Sequence, residues 1–124
     1  VLRAMHFYGD NARVEKQAAA LKAGDFETFK KYIIESGRSS YMYNQNVYSC
    51  KKASEQPVSL ALSLSEKLLD GCGAWRVHGG GFAGTIQAFV PLNKLDEYKD
   101  LMEKVFGSGS CYILSVRPVG GVEL

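Results

Sequence analysis

Hydrophobic residues recur at helical spacing in four stretches of the chain. The first stretch begins at residue 1, where Phe7, Val14 and Leu21 fall seven apart and, with Ala4 and Ala18 beside them, predict one apolar stripe. The same spacing predicts the buried faces of three further helices, at Phe26, Phe29 and Ile33, at Val58, Ala61, Leu62, Leu68 and Leu69, and at Leu95, Tyr98, Met102 and Val105.

Polar and glycine residues set the expected ends of these helices. Gly24 ends the first helix, and Asp25 caps the second, which runs to about residue 36. Pro57 suits the first turn of the third helix, because its missing N–H is not needed there. The fourth helix is expected to have Asn93 as its N-cap and to end at Gly107.

The start of the chain bears on its domain organisation. The first residue is Val1 rather than Met, and no N-cap residue precedes the first helix. Either the chain is a piece of a longer protein or its natural terminus has been processed, and we expect the former. Residues 1–124 are then a single domain of that longer protein, large enough to bury its own core.

Three runs of alternating or β-rich residues predict strands, at residues 74–78, 85–90 and 111–117. From residue 57 the order is helix, strand, strand, helix, strand, which is a split βαβ pattern without its first strand. The missing strand is either residues 46–49 or lies upstream of Val1. The sequence therefore predicts an α+β domain, with helices on one face of an antiparallel β-sheet of three or four strands, of the ferredoxin-like type.

Composition excludes several function classes. The net charge is +2, from 15 basic and 13 acidic residues, so we expect no nucleic-acid partner. The chain has no apolar run near the length of a membrane span and no signal peptide, so we expect no membrane partner and a cytoplasmic location. Cys50, Cys72 and Cys111 are odd in number and lack CxxC spacing, which indicates free thiols. With only two histidines, no clustered metal site can be drawn.

A glycine-dense loop joins the first two predicted strands. It runs Gly79-Gly80-Gly81-Phe82-Ala83-Gly84, and four glycines in six residues exceed what a hairpin turn requires. The loop is either a wide turn packed against a neighbour or a nest of N–H groups that binds a phosphate. His78 borders the loop, where it either donates to a phosphate or sugar or simply caps the strand. Arg76, on the same sheet face, pairs with an anion or with a helix carboxylate.

Residues 76–85, Arg-Val-His-Gly-Gly-Gly-Phe-Ala-Gly-Thr, resemble a known motif. It is the third conserved motif of the GHMP small-molecule kinases in its galactokinase form, Arg-Met-Thr-Gly-Gly-Gly-Phe-Gly-Gly-Cys. Residues 21–29 and the serine-rich turn at residues 35–40 are also similar to galactokinases. The resemblance covers nearly the whole chain and implies the C-terminal domain of a galactokinase-like enzyme. The chain departs from the motif at His78, Ala83 and Thr85, and it lacks the acidic pair that usually follows the serine-rich turn.

The resemblance implies an ATP-dependent kinase that phosphorylates a galactose-type sugar, with ATP and Mg²⁺ as cofactors. In that family the N-terminal domain carries the phosphate loop, the general-base Asp and most sugar contacts. No catalytic residue is therefore assigned here, and the chain alone is expected to be inactive. The resemblance places a loop that braces the ATP phosphate loop, close to nucleotide and substrate, at His78, Gly79, Gly80, Gly81, Phe82 and Gly84. The departure at His78 leaves the exact sugar open.

A second hypothesis comes from another class of protein. The chain is then a stand-alone α+β module for small-molecule binding or oligomerisation, and the glycine loop is its contact surface. This hypothesis accounts for the missing catalytic groups without a further domain. It leaves the uncapped first helix and the family resemblance unexplained.

Overall fold

The computed structural model describes residues 1–82 and 84–116. Four α-helices and two strands form the body of the fold: α1 (Leu2–Lys22), α2 (Phe26–Ser39), α3 (Pro57–Leu69), β1 (Ala74–Val77), β2 (Ile86–Phe89) and α4 (Leu95–Phe106). A π-helical turn, Ser40–Asn44, extends α2, and short 3₁₀ turns lie at Cys50–Lys52 and Leu92–Lys94. The predicted α+β class is confirmed.

Most helix ends lie where the sequence places them. The carboxylate of Asp25 accepts a hydrogen bond from the Thr28 N–H at 3.0 Å, so the predicted cap of α2 is present. Gly24 has φ +70° after α1, and Gly107 has φ +100° after α4. Asn93 is not the N-cap of α4. It lies inside a 3₁₀ turn closed by the Lys94 N–H to the Pro91 carbonyl at 2.9 Å, and this turn leads directly into the helix.

The buried side of α1 differs from the one that hydrophobic spacing predicted. Phe7 is 59% exposed and Val14 is 55% exposed. The side that faces α2 is polar instead, and it carries His6, Asp10 and Gln17. Their partners are hydroxyl and carbonyl groups of α2. This polar contact between α1 and α2, rather than the apolar stripe, decides how α1 is oriented.

The two strands form an antiparallel hairpin in which Ala74 pairs with Phe89 and Val77 with Ile86. β1 is the buried strand, and it contacts both α2 and α3. Two hydrophobic clusters hold the domain together, one of Leu69, Trp75, Tyr98 and Met102 and one of Val47, Val58 and Val77. Each cluster takes one residue from β1, which is therefore central to the core.

The described part of the chain contains two strands, so the predicted sheet of three or four strands and the ferredoxin-like pattern are not confirmed. Residues 111–116 are not in a strand, and Arg117 lies outside the described residues. Tyr112 is 81% and Leu114 88% exposed, because no strand edge pairs with this segment. Residues 46–49 are not a strand either. Asn46 hydrogen-bonds the glycine loop rather than a β-ladder.

Candidate functional site: the glycine loop and its support

The glycine loop closes the β1–β2 hairpin. The His78 N–H donates to the Thr85 carbonyl at 3.0 Å and extends the ladder by one pair beyond Val77. Gly79, Gly81 and Gly84 have φ values of +59°, +87° and +85°, a region that other residues avoid. The Gly84 N–H donates to the Gly81 carbonyl at 3.0 Å. Glycine is therefore required by the backbone at three of these positions.

The side chain of Asn46 holds the glycine loop through a hydrogen bond. Its side chain is almost fully buried, and its amide nitrogen donates to the Gly80 carbonyl at 3.2 Å. Its amide oxygen accepts a hydrogen bond from the Ser40 hydroxyl at 2.9 Å. Both polar atoms of the amide are thus used, which satisfies a buried polar group. The loop is fixed to the segment that follows α2.

Gly80 and Gly81 differ in the space that a side chain would have. A Cβ at Gly81 would stand 2.1 Å from the Asn46 carbonyl oxygen, so no larger residue fits there. A Cβ at Gly80 would meet nothing within 4 Å. The loop therefore has a packed side at Gly81 and an open side at Gly80.

The π-helical turn brings Asn46 to its position. The Gln45 N–H donates to the Ser40 carbonyl at 2.9 Å, five residues back. Gln45 then takes a left-handed conformation, φ +57° and ψ +41°, that ends the turn and redirects the chain. Single π-helical turns are frequent at functional sites. Sequence reasoning missed Asn46, although the run Asn44-Gln45-Asn46 after a serine pair was a visible signal.

The other predicted site residues lie at the rim of the loop. His78 is exposed at the end of β1, which fits its interpretation as a strand cap. Phe82 is 69% exposed. The structure thus places Gly80 and Gly81 against Asn46 and leaves the side chains of His78 and Phe82 facing outward.

Arg76 pairs with a helix carboxylate, one of the two roles the sequence allowed. Its guanidinium lies 3.9 Å from Asp10 on α1, and its Nε donates to the Val77 carbonyl at 3.1 Å. Asp10 also accepts hydrogen bonds from Arg13 at 3.1 Å and from Ser36 at 2.5 Å. Burial alone would raise the pKa of Asp10, but these hydrogen bonds and the two cationic charges outweigh it and lower that pKa.

His6 lies beside this carboxylate and contacts the next serine of α2. Its Nδ1 is 3.0 Å from the Ser39 hydroxyl. Burial, together with the charges of Arg13 and Arg76, lowers the pKa of His6, and the opposing effect of Asp10 is smaller.

Three buried serines form a line along one side of α2 and its π-helical extension. Ser36 binds Asp10, Ser39 binds His6, and Ser40 binds Asn46. These contacts extend from α1 to Asn46, which hydrogen-bonds the glycine loop.

A groove of about 280 Å³ lies between α2 and α3, with Ile34, Leu62 and Trp75 among its lining residues. Two contacts between the helices border it, Arg38 to Glu66 at 3.1 Å and the Tyr41 and Ser59 hydroxyls at 3.3 Å. None of the loop residues that the structure describes lines this groove.

Two further observations concern the described residues. In residues 1–82 and 84–116 no three His, Cys, Asp or Glu side chains converge closely enough to hold a metal ion. Across the same ranges, each helix is too short or too polar to cross a bilayer.

Comparison with known proteins shows a similarity to a sugar kinase. Human galactokinase is 28% identical to the chain over 122 residues, which is 98% of this chain. The match includes the glycine loop. The chain spans 29% of the length of human galactokinase. No protein-family model matches the chain, and no solved structure matches it.

Proposed function

We propose that the chain is the C-terminal part of an ATP-dependent, galactokinase-like sugar kinase. The observation that carries this proposal is a glycine loop with one packed and one open side, in a chain similar to galactokinase along its length. The protein transfers a phosphoryl group from ATP to a hydroxyl of a galactose-type sugar. ATP and Mg²⁺ are its cofactors.

In this proposal the loop of Gly79, Gly80, Gly81, Phe82 and Gly84 braces the phosphate loop of the N-terminal domain. Phosphoryl transfer depends mainly on positioning and on stabilising charge at the transferred group. Backbone N–H groups that need no rearrangement suit that role. Arg76 is not assigned to the phosphates, because Asp10 already pairs with it.

The test compares the full-length protein with the 124-residue chain. A coupled assay of ADP release with Mg·ATP and galactose should show turnover for the full-length protein and none for residues 1–124. Calorimetry should show ATP binding to the short chain no tighter than roughly millimolar, because two or three exposed hydrogen bonds of about 0.5–1.5 kcal/mol give no more.

Two results would count against the proposal. Micromolar ATP binding or turnover by residues 1–124 alone would make the domain self-sufficient. A full-length protein that phosphorylates neither galactose nor a related hexose would remove the kinase assignment.

A further inference from the structure

We propose that the apolar stripe of α1 is the docking surface for a helix from the part of the full-length protein that lies outside this chain. The stripe consists of Phe7, Val14 and Leu21, with Ala4 and Ala18 beside them. This docking surface rests on one element of the proposed function, that the chain is part of a longer protein. It is independent of the reaction which that protein catalyses.

The stripe is exposed along its whole length. Phe7 is 59%, Val14 is 55% and Leu21 is 46% exposed, and both alanines are exposed as well. Of the 21 residues of α1, Ala20 is the one that the structure buries. Monomeric proteins rarely leave a row of large apolar side chains in water, and such rows mark contact surfaces. The stripe therefore indicates a partner.

Rotation of α1 cannot bury this stripe within the domain. The adjoining side of the helix packs against α2 and the π-helical turn. It is held there by polar contacts, among them His6 with the Ser39 hydroxyl at 3.0 Å and Gln17 with the Tyr32 carbonyl at 3.3 Å. Turning the helix would break these hydrogen bonds and leave their groups without partners, which is costly. The stripe thus stays available to a partner from outside the described domain.

The spacing of the stripe identifies this partner as a helix. Steps of three and four residues alternate in the order Ala4, Phe7, Asn11, Val14, Ala18 and Leu21. These are the a and d positions of three heptads, the pattern of a seam between two helices that run side by side. The seam is about 30 Å long, because each residue of a helix rises about 1.5 Å.

The residues of the seam also define the chemistry of the partner helix. Large apolar side chains fit opposite Ala4 and Ala18, and a small one fits opposite Phe7, so that the two surfaces interdigitate. Asn11, the polar member of the seam, needs a hydrogen-bonding side chain once it is covered. The partner is therefore an amphipathic helix that turns its apolar side toward α1.

Such a helix has two sources, the rest of the same polypeptide or a second copy of this chain. The similarity to human galactokinase covers 98% of this chain but 29% of that protein, so more than two-thirds of its length lies outside the matched segment. A helix on the same polypeptide is already tethered and avoids most of the entropy cost of association. Two α1 helices must meet that cost with three heptads, which is near the lower limit for a coiled coil. The tethered helix is therefore favoured.

The experiment measures side-chain accessibility on α1 in the full-length protein. Val14→Cys introduces a thiol into the stripe. Ala12→Cys is the matched control, because Ala12 is exposed on the opposite side of the same helix. Leu21→Cys repeats the test at the other end of the stripe and decides it if Val14→Cys does not fold. Mass spectrometry follows alkylation of the peptide that carries each new cysteine, so the native cysteines do not interfere.

In the full-length protein, Val14→Cys should be alkylated at least about tenfold more slowly than Ala12→Cys, because its thiol reacts only when the covering helix moves away. In residues 1–124 the two rates should be similar. Equal rates in the full-length protein would mean that the stripe is uncovered and would overturn the proposal. Slow alkylation of Val14→Cys in residues 1–124 would also overturn it, since the cover would then lie within this chain.

Light scattering on the full-length protein distinguishes the tethered helix from a second copy. Slow alkylation of Val14→Cys in a monomer supports the tethered helix. Slow alkylation that is found only in a dimer, and is lost on dilution to the monomer, would assign the stripe to a second copy and overturn the proposal.

The assay of ADP release tests the kinase assignment separately. A full-length protein that phosphorylates no hexose but protects Val14→Cys loses the kinase assignment and keeps the docking surface. An active kinase in which Val14→Cys and Ala12→Cys react at the same rate keeps the kinase assignment and loses the docking surface.

Discussion

The carboxylate of Asp10 on α1 accepts a hydrogen bond of 2.5 Å from the hydroxyl of Ser36 on α2, a side chain with no exposed surface. This pair decides which side of α1 is buried. A partly buried anion needs partners, and Asp10 finds them in Ser36, Arg13 and Arg76. The apolar stripe of α1 is left exposed as a result.

Asp10→Ala should therefore destabilise the domain by about 2 kcal/mol, the range for hydrogen bonds to a charged group. Urea denaturation measures the change. Glu27→Gln is the matched control, because Glu27 is 82% exposed and its pair with Lys30 should contribute less than about 1 kcal/mol. Equal losses for the two variants would mean that the partly buried Asp10 carboxylate has no special role.

The Asp10 carboxylate should also make the stability of the domain fall at low pH. The pKa of Asp10 in the folded state lies below 3.8, the value of the free side chain. The unfolded chain thus binds the proton more readily, and the contribution of Asp10 is complete above pH 3.8 and is lost as the pH falls through the folded-state pKa. Asp10→Asn should flatten the acid end of the stability profile. An unchanged profile would contradict this.

His6 should also reduce stability as the pH falls, in a pH range above that of Asp10. Its folded-state pKa is below 6.5, so the folded domain prefers the neutral ring. Stability is complete above 6.5 and falls as the pH drops through this value toward the folded-state pKa, because the unfolded chain takes up the proton first. Urea midpoints on either side of this window should differ in the wild type and differ less in His6→Gln. An equal difference in both proteins would exclude His6 as the cause.

Substitution by alanine should destabilise the domain at Gly81 but have little effect at the neighbouring Gly80. Gly81→Ala adds a methyl group against the Asn46 carbonyl at φ +87°, where left-handed strain alone costs roughly 1–2 kcal/mol. Gly80→Ala meets open space and should change stability by less than about 0.5 kcal/mol. Urea denaturation of residues 1–124 distinguishes the two. Similar losses would show that the loop does not rest on Asn46 in solution.

Gly80→Val tests the function of the open side in the full-length protein. Because a Cβ at Gly80 would have no close neighbour, the isolated domain should stay folded while turnover falls strongly. An unfolded domain would mean that Gly80 serves the fold of the loop rather than an approaching group.

His78→Thr restores the residue of the galactokinase motif at an exposed position. In the full-length protein we expect an altered galactose KM, a nearly unchanged ATP KM and an unchanged melting temperature. Equal changes in the two KM values would count against a sugar-side role.

The three cysteines should be free and react at different rates. Cys50 is exposed, whereas burial and the nearby Glu103 raise the pKa of the Cys111 thiol and lower its thiolate fraction. A thiol reagent should return three thiols per unfolded, unreduced chain, with Cys50 fastest and Cys111 slowest in the folded protein. Reductant should leave the melting temperature unchanged. A count of one thiol would establish a disulfide.

Local patterns in the sequence determined much of this protein. Helix ends followed from single residues such as Asp25, Pro57 and Gly107, because capping and backbone preferences act within one turn. The hairpin and its glycine loop followed in the same way.

The tertiary structure decided what depended on partners distant in sequence. Seven-residue spacing put Phe7 on the inner side of α1, but hydrogen bonds to Ser36 and Ser39 turned that helix the other way. Residues 111–116 have strand-forming side chains, yet a strand exists only where another edge pairs with it. Asn46 became part of the site because the π-helical turn carried it beneath a loop 34 residues away in the sequence. Spacing along the chain reports which residues can share a face, whereas the partner of that face is fixed by long-range hydrogen bonds and packing.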